Sequence, residues 1–351
     1  MRNLPVALIA VFALLPIVGH ADNHEGKAVL VTGATSGIGR AAAELLAEQG
    51  YFVYAGARKD ADMAELNAID NIMAVRLDVT KQEQIEAAVA LIKSEGRGLW
   101  GVVNNAGVNV VAPLAAARED ELQFLFDVNV FGVYRVTKAF APLIIDARGR
   151  VVNISSISGI LAGPEYGLYA SSKHAVEAMT DSLAAEMSYF GVHVAAVNPG
   201  NFASEIGLTR CQRRIDNADT DHWGIWEERR QALLESCKER LDAGIAGEGT
   251  PPLAVAATIS RALFEESPRY RYMVVPEQFE AGLTIAAGMA ELLQFNGAHD
   301  HSYSQQEMHE LVDLMWSYGT GEKTMMTESG FGGFIGELEP WMMRGEATNP
   351  D

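Results

Sequence analysis

With 27 lysines and arginines against 46 aspartates and glutamates, the 351-residue chain carries a formal net charge of −19. That balance argues against nucleic-acid partners and against a basic grip on anionic lipid, both of which need a positive footprint. A hydrophobic share of 48% is enough for a sizeable core and excludes general disorder.

The first 24 residues stand apart. Arg2 precedes an apolar run from Leu4 to Val18, interrupted by Pro5 and Pro16, and Gly19-His20-Ala21 then supplies a small-x-small site. This is the layout of a secretory signal peptide. As a helix the run would reach roughly 22 Å, short of a hydrocarbon core of about 30 Å. Residues 1–24 are therefore expected to be a signal peptide, or else an N-terminal membrane anchor. The expected location is exported (periplasmic or lumenal), or membrane-anchored through that segment.

From Lys27 onward, β-rich runs alternate with helical patterns. The runs are KAVLVTG, YFVYAGA, NIMAVRLDV, LWGVVNNAG, GRVVNISS, VHVAAVNPG and YRYMVV. Most are continuously apolar, as expected of parallel strands covered on both faces. Helical patterns such as GRAAAELLAEQG, ended by Gly50, lie between them. Strand–helix alternation predicts an α/β fold, a doubly wound parallel sheet of about seven strands with helices on both faces. Two segments break the rhythm. Residues 201–249 are long, charged and carry Trp223 and Trp226, and residues 296–351 form a C-terminal extension rich in Met, Gly and aromatics. The domain in between spans 25–295.

The first run ends in VTGATSGIGR, where Gly33, Gly37 and Gly39 fall between a strand and an Ala-rich helix. A glycine-rich turn there lets backbone approach a pyrophosphate, which the helix N-terminus stabilises. Further on, Tyr169 and Lys173 are four apart in YASSKHAVEAMTDSLAAEM, so they share one helix face. A phenol titrates near pH ~10, too high for work near neutrality, and a neighbouring ammonium would lower that value. Ser156 lies 13 residues before Tyr169 at the end of the fifth run, where α/β sheets place ligands. Its hydroxyl is suited to orienting a substrate oxygen and stabilising charge developing on it.

TGATSGIG (32–39), NNAG (104–107), NISS (153–156), the Tyr169/Lys173 pair and NPG (198–200) follow one another in a familiar order and spacing. The chain resembles the short-chain dehydrogenase/reductase family over about residues 25–295, most closely the branch acting on retinoids, hydroxysteroids and hydroxybutyrate. The resemblance implies a catalytic set of Asn129, Ser156, Tyr169 and Lys173. Lys173 would also reach the nicotinamide ribose, and Asn129 would hold a water joining Lys173 to solvent. It implies cofactor contacts from Gly33, Thr35, Ser36, Gly37, Ile38, Gly39, Arg58, Asp78, Val79, Asn104, Ala106, Gly107, Tyr169, Lys173, Pro199, Gly200, Phe202 and Ser204. Within that set, Asp78 matches an adenine contact, Pro199-Gly200 shapes the nicotinamide pocket, and backbone near Phe202 pairs the carboxamide. Ser204 stands where the family pattern usually has Thr. A homodimer or homotetramer is implied as well.

For the cofactor, the second run ends in Ala57-Arg58-Lys59, without the acidic residue that commonly holds a ribose 2′-hydroxyl. A guanidinium can hold a 2′-phosphate by paired hydrogen bonds, so NADP(H) is favoured over NAD(H). Apolar residues in 201–249 (Phe202, Ile206, Leu208, Trp223, Ile225, Trp226) suggest a substrate lid and a small lipophilic alcohol or ketone. The expected function is an NAD(P)-dependent alcohol dehydrogenase or carbonyl reductase. Two other readings share these residues: a nucleotide-binding sensor or scaffold with little turnover, and an exported protein using the lid to bind an apolar ligand. The intact Asn129–Ser156–Tyr169–Lys173 set argues against both.

No metal site is expected. Cys211 and Cys237 have no CxxC spacing and no clustered histidines nearby, which argues against zinc or a disulfide framework but leaves room for one bridge in an oxidising compartment. His299, His301 and His309 are read as a solvated loop, since no cysteine or carboxylate cluster completes a ligand set. If the N-terminal segment is a cleaved leader, intact mass of material from the native host will show a chain beginning near Asp22. A chain still beginning at Met1 and released only by detergent would identify an anchor instead.

Overall fold

A computed structural model describes residues 27–243, 249–297, 302–320, 323, 336–338 and 341–342. The proposed leader, His299, His301 and most of the C-terminal extension therefore lie outside the described residues. Each of the seven β-rich runs contains a strand: β1 (Ala28–Val31), β2 (Phe52–Ala57), β3 (Ile72–Arg76), β4 (Gly101–Asn104), β5 (Arg150–Ile154), β6 (His193–Pro199) and β7 (Arg271–Val274). They form one parallel sheet in the order β3-β2-β1-β4-β5-β6-β7.

The sheet is covered on both sides, as the unbroken apolar runs predict. In β1, Val29 and Val31 point to one core while Ala28 and Leu30 point to the other, the two-residue alternation of a pleated strand. The first core takes α1 (Gly37–Glu48) through Ala42, Ala43 and Leu46, and α9 (Leu253–Phe264) through Val255, Ile259 and Leu263. The second takes α3 (Gln82–Glu95) through Ile85 and Ile92, and α5 (Gly132–Ala147) through Val136, Phe140 and Ile144. α6 (Gly167–Ser188) joins it through Ala184 and Met187. The shorter α2 (Asp60–Asn67) follows β2. α4 (Glu119–Phe126) runs into α5 through a π-helical turn, Asp127–Phe131. By length and composition the continuous stretch Glu119–Ala147 could cross a membrane, but half of it is buried against the fold, so it serves as a core helix.

Strand order reverses between β1 and β4, which opens a crevice at the carboxyl ends of the strands. The segment expected to form a lid carries α7 (Ile206–Asp216), a short 3₁₀ turn at Gly224–Trp226, and α8 (Glu227–Asp242). The two ends of the lid meet: Phe202 bridges Thr250, and the Ala203 N–H donates to the Thr250 carbonyl at 2.9 Å. α10 (Gln278–Asn296) and α11 (Gln305–Gly319) follow the last strand.

Cys211 of α7 and Cys237 of α8 form a disulfide with Cα atoms 4.9 Å apart. This is the single bridge the sequence left open, and it ties the lid helices rather than the sheet. Closing a loop across a separation of 26 residues stabilises by roughly 3–4 kcal/mol in the chain-entropy picture. Reduction, or Cys237→Ser, is expected to speed proteolytic cleavage within 201–243 severalfold while the sheet resists as before. Mapping the fragments by mass spectrometry with and without reductant checks this; identical cleavage would mean the bridge does not hold the lid.

Candidate active site

The turn after β1 is built by long-range stitching. The Thr32 hydroxyl donates to the Val103 carbonyl (3.3 Å) and accepts from the Asn105 and Ala106 N–H groups (both 3.0 Å). The Asn105 amide donates to the Thr32 and Gly33 carbonyls at 2.9 and 3.0 Å. β4 thereby holds the turn of β1 in shape. Gly33 has φ +63°, and a Cβ there would lie 3.0 Å from Ala106 Cα, so a side chain is barred by conformation and by space. Ser36 sits at the N-cap of α1 but makes no side-chain cap. The first N–H groups of α1 therefore lack that partner, and such free donors at a helix N-terminus are what a pyrophosphate accepts from. Ser204, at the root of the lid, closes over this turn: a Cβ on Gly37 would meet its Cβ at 3.3 Å. These residues fit a dinucleotide. Thr35 and Ile38 lie in the same turn and on the first turn of α1.

Other expected cofactor residues have additional commitments. Asp78 accepts from the Thr80 N–H (2.9 Å) and hydroxyl (2.7 Å), an Asx turn ahead of α3. Val79 is buried, beneath Gly132 of α5. The Asn104 side chain turns into the core, donating to Asn153 Oδ1 (2.8 Å) and Thr137 Oγ1 (2.9 Å). Arg58 is exposed at the end of β2, beyond the buried Ala57. The nearby Asp60 carboxylate is paired with Arg76, so it does not compete for Arg58. Among the described residues Arg58 makes no ion pair.

Ser156, Tyr169, Lys173 and Asn129 come together at the crevice floor. Ser156 is the N-cap of a 3₁₀ turn, its Oγ accepting from the Ser158 N–H at 3.0 Å and facing the Pro199 carbonyl at 3.5 Å. Its hydroxyl lies close enough to the Tyr169 phenol to favour the phenolate. Lys173 is buried; its Nζ donates to the Ile154 carbonyl at 2.8 Å and lies 5.6 Å from the centre of the Tyr169 ring. Asn129 lies in the π-helical turn, a distortion frequent at functional sites. Its amide clamps Val108 from both sides, accepting from the N–H at 2.8 Å and donating to the carbonyl at 2.9 Å. It also donates to Ser172 Oγ at 3.1 Å. Gly107 separates Asn129 from Lys173, a Cβ there falling 3.5 and 3.9 Å from Oδ1 and Nζ.

The electrostatics differ from the sequence expectation in one respect. Burial pushes the Tyr169 phenol up to about 12, with the Ser156 hydrogen bond pulling the other way. Burial likewise pulls Lys173 down to about 8, against the nearby Glu177 charge. Spacing alone suggested that the ammonium would lower the phenol. Desolvation is the leading cause for both groups. The phenol is thus held protonated near neutrality, in the form that gives a proton.

Two carboxylates at the site were not anticipated. Glu177, one turn beyond Lys173, is buried and accepts from Asn198 Nδ2 (2.5 Å) and Arg271 Nε (2.9 Å). The same Asn198 amide donates to the Ser156 carbonyl at 3.2 Å. Helical spacing from Lys173 was a signal for Glu177. Glu280 of α10 accepts from the Asn201 N–H and side-chain amide, both at 3.0 Å, and packs against Gly200. It lies 79 residues from Asn201, and nothing local in the sequence announces it. Of the lid residues, Phe202 packs on the first core, Trp223 is 3% exposed, and Ile225 is 94% exposed. The lid thus turns only part of its apolar surface inward.

The chain matches the family described as short chain dehydrogenase over residues 27–213. It is 34% identical over 270 residues to the mitochondrial D-beta-hydroxybutyrate dehydrogenase of Rattus norvegicus, covering 72% of this chain and 78% of that protein. It is 37% identical over 238 residues to retinol dehydrogenase 7 of Rattus norvegicus, covering 66% and 72%. Among solved structures, a short-chain dehydrogenase from Streptomyces avermitilis aligns with a TM-score of 0.59 at 26% identity, over 85% of this chain and 98% of its own. ElxO with NADP bound aligns with a TM-score of 0.56 at 27% identity, over 71% and 97%. The motifs, the sheet and these likenesses agree: the chain belongs to the short-chain dehydrogenase family and is an NAD(P)-dependent dehydrogenase/reductase acting on CH–OH groups.

Proposed function

We propose that this enzyme moves hydride between NADP(H) and a lipophilic secondary alcohol or its ketone, or a retinoid- or steroid-like substrate. The observation that carries this reading is the gathering of Tyr169 and buried Lys173, its Nζ 5.6 Å from the phenol ring, with Ser156 at the carboxyl end of β5; the apolar residues of 201–249 support a lipophilic substrate. The retinol dehydrogenases among its relatives support the lipophilic substrate. The nicotinamide, when bound, supplies or accepts the hydride.

The protein's own residues do the rest. Ser156 Oγ orients the substrate oxygen and bonds to it as negative charge develops. Tyr169 gives that oxygen its proton in reduction and removes it in oxidation. Lys173 holds positive charge next to the phenol and turns from the Ile154 carbonyl toward the ribose. Asn129 fixes Val108, which keeps the wall opposite Lys173 in place. Pro199, Gly200 and Asn201 form the nicotinamide side of the crevice, braced by Glu280. At the other end Arg58 takes the 2′-phosphate.

The buried disulfide in the lid supports an oxidising compartment, consistent with residues 1–24 acting as a leader or an anchor. Exposed Phe131 (50%) and Tyr134 (50%) on the α4–α5 face support a homodimer or homotetramer.

Tyr169→Phe keeps the ring and its packing but removes the titrating hydroxyl. It is expected to cut kcat by about 10²-fold or more with cofactor affinity nearly unchanged; near-parental turnover would refute the role. Because the phenol is protonated at neutrality, reduction should be nearly flat with pH there. Alcohol oxidation needs the phenolate, so its rate should rise with pH. The rise should be shallower than proportional, since Lys173, pulled down to about 8, loses charge over the same range. Initial rates in both directions across pH test the sign.

For the cofactor, fluorescence titration should show NADPH binding more tightly than NADH. Arg58→Ala should narrow the gap about tenfold, the scale of one charge-assisted phosphate contact. Tighter NADH binding in the parent enzyme would overturn the preference.

A further inference from the structure

Glu177 is buried one turn beyond Lys173, on the same face of α6. Its two oxygens are held from different directions. Oε1 accepts from Asn198 Nδ2 at 2.5 Å, and Oε2 accepts from Arg271 Nε at 2.9 Å. Arg271 comes from β7 and also donates to both oxygens of Asp181 at 2.7 Å. Gly159 closes on the carboxylate from a third side: a Cβ there would stand 2.9 Å from Glu177 Cγ and 3.0 Å from Oε1. Gly159 ends the 3₁₀ turn that Ser156 caps, and Asn198 also donates to the Ser156 carbonyl at 3.2 Å. Residues of β6, β7 and the Ser156 turn thus fix one carboxylate together.

Those neighbours do not themselves require an ion at this depth. A neutral side-chain carbonyl would satisfy the Asn198 amide, and Arg271 already has Asp181. A buried carboxylate has lost hydration that only nearby cations replace. The second cation in its reach is Lys173, whose charge is disfavoured by burial and favoured by Glu177. Among the described residues, the other elements packed around Lys173 bring it no free carboxylate. β5 supplies the Ile154 carbonyl at 2.8 Å, the π-helical turn supplies the neutral Asn129, and β6 supplies Asn198. Asp127 of the π-helical turn pairs with Arg135 at 2.7 Å, and Glu121 of α4 pairs with Arg213 at 2.9 Å. On α6 itself, Tyr169 is a phenol, as is Tyr166 just before the helix, and His174 Nδ1 lies 2.9 Å from the Ala170 carbonyl.

We propose that Glu177 is a positioning residue for the hydride-transfer site: its carboxylate, pinned by Asn198, Arg271 and Gly159, keeps Lys173 in the charged form that works beside Tyr169. It acts through Lys173 and not on the substrate. This rests on the reading of Tyr169 and Lys173 as reacting groups.

Lysine Cε resonances followed by NMR across pH report the titration without turnover, and Lys173→Met identifies the signal by its disappearance. In the parent, Lys173 should titrate at about 8. Glu177→Gln keeps the size and the acceptor toward Asn198 but removes the charge. It should lower the titration by about one pH unit or more, the scale of one close opposite charge. Glu177→Asp keeps the charge but draws it back by one methylene. It should fall between the other two, and it gives the same sign if Glu177→Gln does not fold. Reduction of acetophenone with NADPH reads the catalytic side. In the parent, kcat should be level through neutrality and fall above about 8 as Lys173 loses its charge. In Glu177→Gln the fall should begin about one pH unit lower, with KM little changed. A Lys173 signal that titrates alike in parent and Glu177→Gln, or a kcat profile that ignores a shifted one, overturns the proposal and leaves Glu177 a brace for Arg271. If acetophenone is not reduced, the titration alone decides. A shifted titration with parental turnover in Tyr169→Phe would sink the reading of the site, and the role of Glu177 with it. An unmoved titration with Tyr169→Phe inactive sinks the role of Glu177 alone.

Discussion

Four buried polar side chains run through the middle of this fold. Thr137 of α5 meets Asn104 of β4, Asn104 meets Asn153 of β5, and Asn153 donates to Thr180 of α6 at 2.9 Å. Thr180 in turn back-bonds to the Val176 carbonyl at 2.7 Å. Buried polar groups are costly unless paired, so each member fixes the next. The chain of amides and hydroxyls therefore sets where α6 lies against the ends of β4 and β5. α6 carries Tyr169 and Lys173, and β5 leads into Ser156. The alignment of the reacting groups depends on this polar seam, where apolar packing alone would tolerate small slides of a helix over a sheet.

Much of the fold was legible because parallel sheets buried on both faces leave an unmistakable trace. All seven apolar runs became strands, and Gly33, Gly37 and Gly39 marked the turn whose conformation leaves no room for side chains. The meeting of Tyr169 and Lys173 was legible through spacing, since the two need only a helix to share a face. What spacing could not convey was solvation. The phenol and the ammonium are both shifted by burial, and burial is a property of everything that packs around them. The same limit hid Glu280, whose partner is Asn201 on a distant segment, and the inward turn of Asn104, which sequence motif alone places at the cofactor. Trp223 and Ile225 are two residues apart and both bulky and largely apolar, yet one is enclosed and the other exposed. Only the path of the 3₁₀ turn separates them.

Charge is distributed with similar economy. Among the described residues the buried cations are Lys173, at the crevice floor beside Glu177, and Arg230, paired with Glu227 on α8. Arg271, more exposed, bridges Glu177 and Asp181 behind Lys173. Each is matched by a carboxylate, as a buried charge must be to repay its lost hydration.

The way the lid is fastened has a mechanical meaning. Its two ends lie side by side through Phe202 and Thr250, and its two helices are cross-linked near their middles by Cys211 and Cys237. A segment joined at its root and cross-linked between its helices is held at two separate points, so loosening of one helix is resisted by the other. The join at its root lies beside Ser204, which rests on the phosphate turn. The seating of these helices and the shape of the roof over that turn are therefore set by the same few residues.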